Sequence, residues 1–346
     1  MATESRPGFP LRLCRLWAWA LMVLLAACAP HMVPAGPTIT QPRLLADHWV
    51  TADGLELPLR RWLPEGEPGA VILALHGFND YSAAFEDPGT WWAARGIATY
   101  AFDQRGFGAA PNRGLWAGTE TLVADLSALT SLLKARYPGR PVYLLGESMG
   151  GAVVMVALAA DDPIEVDGAI MSAPAVWARS TMPGYQRAAL WVGVRIMPWA
   201  YLTGEGLAVQ ASDNIEMLYE LWRDPLMIKR TRVDAVYGLS NLMDEALNGA
   251  AAIEAPVLLL YGEHDEVIPR DPTFQAWRDL PEWENGRQRL ALYEDGWHML
   301  LRDLSAKVVL SDIAEWIADP AATLPSGADD RARAALSDLA VNAAAE

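Results

Sequence analysis

Short, continuous apolar runs that end in turn residues recur along the chain: AVILALHG (70–77), ATYAFDQRG (98–106), PVYLLGES (141–148), GAIMSAPA (168–175) and PVLLLYGEHD (256–265). Runs of this length without polar alternation are strands buried on both faces, and helix-length amphipathic segments between them, such as 120–137, supply the covering layers. The pattern predicts an α/β fold with a mostly parallel central sheet and helices on both faces. Upstream, HWVTADGLELPLRRWLP (48–64) alternates apolar and polar residues on either side of Asp53-Gly54. That pattern predicts an antiparallel hairpin at one sheet edge.

The alternation stops over residues 176–251, which are rich in Trp, Met and Leu at helical spacing. This stretch is too long for a connection and reads as an inserted helical cap, leaving 46–175 and 252–319 as the core. Residues 320–346 are rich in Ala, Asp and Ser and read as a flexible tail, loose or holding a short surface helix.

Residues 1–27 have the layout of an export signal: Arg6, Arg12 and Arg15 precede LWAWALMVLLAA (16–27), an apolar run too short to span a bilayer. The sequence LAAC (25–28) resembles the bacterial lipobox. It implies a lipidated Cys28, a protein exported to the bacterial cell envelope, and a lipid anchor on a membrane, on its periplasmic face. The only other cysteine, Cys14, lies inside the leader, so the processed chain would hold no disulfide. Residues 28–45 are proline-rich and aperiodic, as a tether would be. The net charge of -16 repels phosphate backbones and excludes nucleic acid as a natural partner. It also means that membrane attachment has to come from the lipid.

Candidate chemistry centres on GESMGG (146–151). In a GxSxG elbow the chain leaves a strand and enters a helix within one residue, and the flanking glycines are required where side chains would collide. A chain of this composition contains such a string by chance roughly one time in ten, so the context decides. Here VYLL precedes it as a strand and GGAVVMVALAA follows as a small-residue helix start, whose N-terminus places positive dipole and N–H groups beside Ser148.

A serine nucleophile needs a base, and the chain has five histidines. His31 lies in the tether, His48 in the hairpin, His76 at a strand end before Gly77, and His264 on the same turn as the acid candidates. His298, which opens a loop after the strand RLALY (289–293), is the best base. Its orienting carboxylate is Asp265, at the C-terminal end of a strand; Glu263 and Glu266 are read as solvent-facing and Asp295 as a weaker alternative. The order Ser148, Asp265, His298 is that of α/β-hydrolases. Oxyanion donors are the N–H of Met149, next after the nucleophile, and of Phe78, in the loop HGFND (76–80). Asp103 and Arg105 in DQRGFG are read as a buried ion pair that shapes its loop.

Together, LHGFNDY, FDQRGFG, GESMGG, YGEHDEVIP and GWHML resemble the monoacylglycerol lipase and lysophospholipase branch of the α/β-hydrolases, also grouped with serine aminopeptidases. The resemblance runs over about 47–317, including LYELWRDPLM (218–227) in the cap. It implies Ser148, Asp265 and His298 as the triad, Phe78 and Met149 as oxyanion donors, and His76 as the oxyanion-loop histidine. The chain departs from the family pattern at Glu147 and Phe107, where histidines are usual.

The expected reaction is transfer of an acyl group from a lipid ester to water, with no metal or organic cofactor. Met182, Trp191, Trp199, Met217 and Trp222 are the cap residues available to line an apolar acyl channel. A short-chain esterase would use the same triad. So would an aminopeptidase, given a cap carboxylate such as Glu205, Glu216, Glu220 or Asp224 to hold the substrate's amine. A non-catalytic binding protein would have no need of both Ser148 and His298 in these contexts.

Overall fold

The computed structural model describes residues 30–343 except 205 and 207. The expected leader and Cys28 lie outside the described residues.

The core is a nine-stranded sheet. In chain order the strands are β1 (Arg43–Leu44), β2 (His48–Val50), β3 (Glu56–Trp62), β4 (Ala70–Leu75), β5 (Ile97–Phe102), β6 (Val142–Glu147) and β7 (Gly168–Ser172). A separate pair follows, β8 (Tyr201–Thr203) and β9 (Arg230–Arg232), and then β10 (Val257–Gly262) and β11 (Gln288–Tyr293). The spatial order is β1-β2-β3-β5-β4-β6-β7-β10-β11. The strands from β5 through β11 in that order are mutually parallel. The predicted hairpin, β2–β3, joins antiparallel at β5.

Every residue of β4 is buried, and the side chains divide by period two. Val71, Leu73 and Leu75 enter one apolar cluster, while Ala70, Ile72 and Ala74 enter the other. The helices are α1 (Glu86–Ala93), α2 (Thr119–Arg136), α3 (Met149–Leu158), α4 (Gly184–Ile196), α5 (Ile215–Arg223), α6 (Val233–Gly249), α7 (Arg270–Asp279), α8 (Ala306–Ala318) and α9 (Ala328–Ala343). The first cluster is covered by α2, α3, α6 and α7 through residues such as Leu129, Val153, Leu242 and Phe274. The second is covered by α1 and α8 through Trp92, Ile313 and Trp316.

Three boundaries differ from the sequence reading. The cap insertion is not wholly helical, because β8 and β9 pair antiparallel within it; strands of three residues are too short to leave a period. Helix α6 belongs to the core, since Leu242, Met243, Ala246 and Leu247 are buried in the same cluster as α3. The expected tether is strapped to the body from residue 31: His31 N–H donates to Asp234 Oδ2 (3.1 Å), Val33 N–H to the Trp116 carbonyl (2.9 Å) and Ala35 N–H to Thr121 Oγ1 (3.2 Å).

The expected flexible tail is also ordered through α9. Ala328 and Ala332 are buried, and Arg331 Nε donates to the Leu292 carbonyl of β11 (3.1 Å). This helix covers the sheet edge, whose backbone groups would otherwise be open to pairing with another chain. Its alanine spacing marks a close approach to β11, although composition alone suggested solvent.

Candidate active site

Ser148 sits between β6 and α3 with φ 52° and ψ -114°, a left-handed conformation that non-glycine residues rarely adopt. Packing leaves the elbow no room for side chains on either flank. A Cβ on Gly146 would lie 2.4 Å from the Gly150 backbone, and one on Gly150 would lie 2.1 Å from the Leu75 carbonyl oxygen. Hydrogen bonds from Ser148 N–H to the Ser172 carbonyl (2.9 Å) and from Ala175 N–H to the Ser148 carbonyl (3.0 Å) tie the strained residue to the end of β7 and to the loop that follows it.

Asp265 and His298 meet at the C-terminal ends of β10 and β11. Asp265 Oδ2 lies 2.9 Å from His298 Nδ1, while Oδ1 accepts the N–H groups of Val267 (2.8 Å) and Ile268 (2.9 Å). The Asp265 side chain is fully buried and that of His298 nearly so. Burial alone pushes the His298 imidazolium toward the neutral form. The Asp265 carboxylate outweighs it through charge and hydrogen bond, with help from Glu147, and raises the imidazole above its ordinary pKa. The bond to Nδ1 leaves Nε2 to handle a proton. Glu263, Glu266 and Asp295 are exposed, and His264 stacks on Trp297 with ring centroids 5.2 Å apart.

The loop after β4 approaches the elbow from the other side. A Cβ on Gly77 would lie 3.4 Å from Ser148 Cβ, so Ser148 and the Phe78 segment are neighbours. Among the described residues, no acceptor is paired with the Phe78 N–H. Met149 is the first residue of α3, where the N–H has no intrahelical acceptor. Buried His76 braces this loop by bonding the Gly77 carbonyl (2.9 Å) through Nδ1 and accepting Gln104 N–H (3.0 Å) at Nε2, which makes it a neutral imidazole. Desolvation lowers its pKa, in keeping with that tautomer. Phe107 packs edge-on against both His76 and Phe78, with centroids 5.6 Å away in each case.

The expected Asp103–Arg105 pair does not form. Arg105 instead bonds Asp53 (2.8 Å) and Asp125 (2.6 Å), and Asp103 accepts Ser82 N–H, Ser82 Oγ and Ala109 N–H. Two carboxylates from the hairpin and α2 satisfy the guanidinium fork better than one neighbour two residues away.

A second buried group was not legible beforehand. Arg302 Nη2 lies 2.7 Å from Asp80 Oδ2 and 2.7 Å from Glu147 Oε1, with all three side chains buried. Next to it, Asp303 accepts Ser212 Oγ (2.6 Å) and Trp297 N–H (2.8 Å), and burial pushes its carboxyl up to about 6. Charges 67 and 155 residues apart in sequence leave no spacing signal.

A cavity of about 440 Å³ opens between the loop at Asp80-Tyr81 and α5, with Arg302 in its wall. Of the five cap residues expected to line a channel, only Met217 borders it. Met182 is half-buried against the core, whereas Trp191, Trp199 and Trp222 each expose more than half their surface. The rest of the cavity's cap wall is Asn214, Glu216, Glu220, Leu221 and Asp224, and none of Ser148, Asp265, His298, Phe78 and Met149 lines it. Among the described residues, no group of three His, Cys, Asp or Glu side chains is arranged to hold a metal ion.

Comparison with known proteins adds to this geometry. The family model described as "Serine aminopeptidase, S33" matches residues 66–305. Human monoglyceride lipase is 26% identical over 283 residues, covering 80% of this chain and 91% of that one. A monoacylglycerol lipase of Mycolicibacterium smegmatis is 26% identical over 271 residues, covering 76% and 93%. Among solved structures, a soluble variant of Saccharomyces cerevisiae monoglyceride lipase with a substrate analogue superposes with a TM-score of 0.66 at 20% identity, covering 83% of this chain and 98% of that one. That likeness establishes the α/β-hydrolase fold.

Proposed function

We propose, from the premise that this chain belongs to the serine aminopeptidase S33 family, that it hydrolyses carboxylic esters of lipids, monoacylglycerol or lysophospholipid, with Ser148 as nucleophile. Ser148 attacks the ester carbonyl while His298 Nε2 takes its proton. The N–H groups of Phe78 and Met149 receive the oxyanion. His298 then passes the proton to the leaving alcohol, and a water molecule activated by the same imidazole releases the acid from the acyl-enzyme. Asp265 fixes the tautomer and stabilises the imidazolium.

The observation that carries this reading is the buried 2.9 Å contact between Asp265 and His298, at the same sheet end as a serine forced to φ 52°. The names of the human and mycobacterial relatives support a lipid ester over an aminoacyl substrate. A panel of long-chain monoacylglycerol, lysophospholipid, butyryl ester and aminoacyl anilide tests it. Turnover is expected on the first two and is lost in Ser148→Ala; activity confined to the anilide or to butyryl esters overturns the lipid reading.

The expected anchor at Cys28 belongs to the same proposal. The strap brings His31 to Asp234, whose own N–H bonds the Pro198 carbonyl in the cap, beside exposed Met197, Trp199 and Leu202. Three residues of sequence separate Cys28 from His31, a reach of at most about 10 Å at about 3.5 Å per residue. This supports a membrane-held enzyme whose apolar cap surface is kept near lipid. Release of the protein from membranes in Cys28→Ser is the expected outcome, and continued sedimentation with membranes counts against the anchor.

A further inference from the structure

Three separate stretches of chain supply the parts of the site, and one guanidinium nitrogen touches two of them from the third. Asp80 closes the turn that carries Phe78: its N–H donates to the Gly77 carbonyl (3.2 Å), and its Oδ1 accepts Tyr81 N–H (2.8 Å). Glu147 is the last residue of β6, immediately before Ser148. Arg302 ends the turn that follows His298, donating its N–H to the Met299 carbonyl (2.7 Å). Its Nη2 is 2.7 Å from each carboxylate.

We propose that Arg302 is a positioning residue for ester hydrolysis: by bridging Asp80 and Glu147 it locks the Phe78 donor loop onto the nucleophile elbow and both onto the His298 loop. The proposal rests on the reading of Ser148 as nucleophile. It also gives a reason for Glu147, which stands where the family pattern has histidine. A histidine there could not supply the second negative partner that a cation in this position takes.

The physical case is one of geometry in a low-dielectric interior. A buried ion triad is weak evidence for stability, because desolvation offsets attraction, but its short bonds fix direction and separation. Oxyanion stabilisation depends on donors held where charge develops, and a shift of about 1 Å between donor loop and serine costs on the order of 10²-fold in rate. Removing Arg302 leaves two buried carboxylates facing one another. Without the bridging guanidinium no bond holds the Phe78 turn at its separation from Ser148, the coordinate that matters for the oxyanion, and this loss remains when the carboxylates are neutralised.

The test compares wild type, Arg302→Lys, Arg302→Met and the charge-free triple variant Asp80→Asn/Glu147→Gln/Arg302→Met. kcat and KM are read on a p-nitrophenyl ester, affinity on an alkyl boronic acid that forms a tetrahedral adduct with serine, and folding by thermal midpoint. Fluorophosphonate labelling of wild-type Ser148 is the separate arm that tests the underlying reading, and residue 302 plays no part in it. In Arg302→Met, kcat is expected to fall roughly 10²-fold with KM within about threefold, and boronate affinity to fall with kcat. Arg302→Lys keeps a charged nitrogen between the carboxylates and is expected to recover at least about tenfold of that loss.

The triple variant, free of buried unpaired charge, is expected to regain the thermal midpoint while kcat stays low. Recovery of kcat together with the midpoint in the triple variant overturns the proposal, as does an Arg302→Met enzyme within about threefold of wild-type kcat. Should Arg302→Met not fold, the other two variants decide: higher kcat in Arg302→Lys than in the triple variant supports positioning, and equal kcat refutes it.

Discussion

Gly262 and Gly296 meet backbone to backbone: a Cβ on Gly262 would lie 2.4 Å from the carbonyl carbon of Gly296. The contact joins the end of β10 to the loop that carries His298, and His264 N–H donates to the Gly296 carbonyl across it (2.9 Å). Gly262→Ala is expected to push the acid turn away from the histidine loop. We expect kcat to fall by about 10- to 100-fold with far-ultraviolet dichroism unchanged, because misplacement of catalytic groups is costly even when folding survives. Unaltered kcat in that variant would show that the two loops are aligned by something else.

With His298 as the proposed base, the acid dependence of the reaction follows from its titration. The base works only when neutral, and Asp265 raises its pKa above the ordinary imidazole value. kcat/KM is therefore expected to climb as pH rises through an inflection above that value. Asp265→Asn removes the carboxylate, so the inflection moves to lower pH while the plateau drops by roughly 10³- to 10⁴-fold. A pH–rate profile of the two enzymes checks both; an inflection that does not move argues against Asp265 as the partner.

Asp303 contributes the opposite kind of pH effect. Burial raises its carboxyl from 3.8 to about 6, so the folded chain holds this proton more tightly than the unfolded chain. Its contribution to stability is therefore present below the unfolded value and is lost as pH rises through about 6. Relative to Asp303→Asn, which does not titrate, wild type is expected to lose stability from pH 4 to 6 (about one unfolded pKa to the folded one). Urea midpoints of both proteins across that interval measure it; a difference independent of pH removes Asp303 from the account.

Helix α9 should matter to stability and solubility but not to chemistry. Arg331→Ala deletes the bonds to the Leu292 and Ser326 carbonyls and is expected to cost about 1–2 kcal/mol in urea unfolding. Truncation before Ala328 leaves β11 as an open edge and is expected to promote self-association at unchanged KM. A truncated chain that stays monomeric with wild-type stability would mean that the helix is dispensable.

The parallel strands and the elbow were legible because they depend on local chemistry. Each strand is a short apolar run, and Gly146 and Gly150 are demanded by contacts that any such elbow makes. The order of serine, acid and histidine made Asp265 and His298 readable across 150 residues of chain. What escaped has a common cause, which is contact between segments with no local signature. The Arg302–Asp80–Glu147 group, the choice of Asp53 and Asp125 over Asp103 by Arg105, and the seating of α9 on β11 all depend on which segments become neighbours. The strap was missed for a related reason. Proline-rich chain is aperiodic whether it is free or pinned, and here three backbone N–H groups from His31, Val33 and Ala35 pin it. Apolar content in the cap carries no information on which face a side chain takes, and Trp191 and Trp222 stand more than half exposed.

The central claim is that a lipid acyl group passes through Ser148. Rapid quench of the enzyme with a long-chain p-nitrophenyl ester, followed by peptide mass spectrometry, observes that intermediate directly. The expected result is a burst of p-nitrophenol and an acyl mass increment on the peptide containing Ser148, both absent from Ser148→Ala. Steady hydrolysis by Ser148→Ala, or an acyl group found on another residue, would contradict the account.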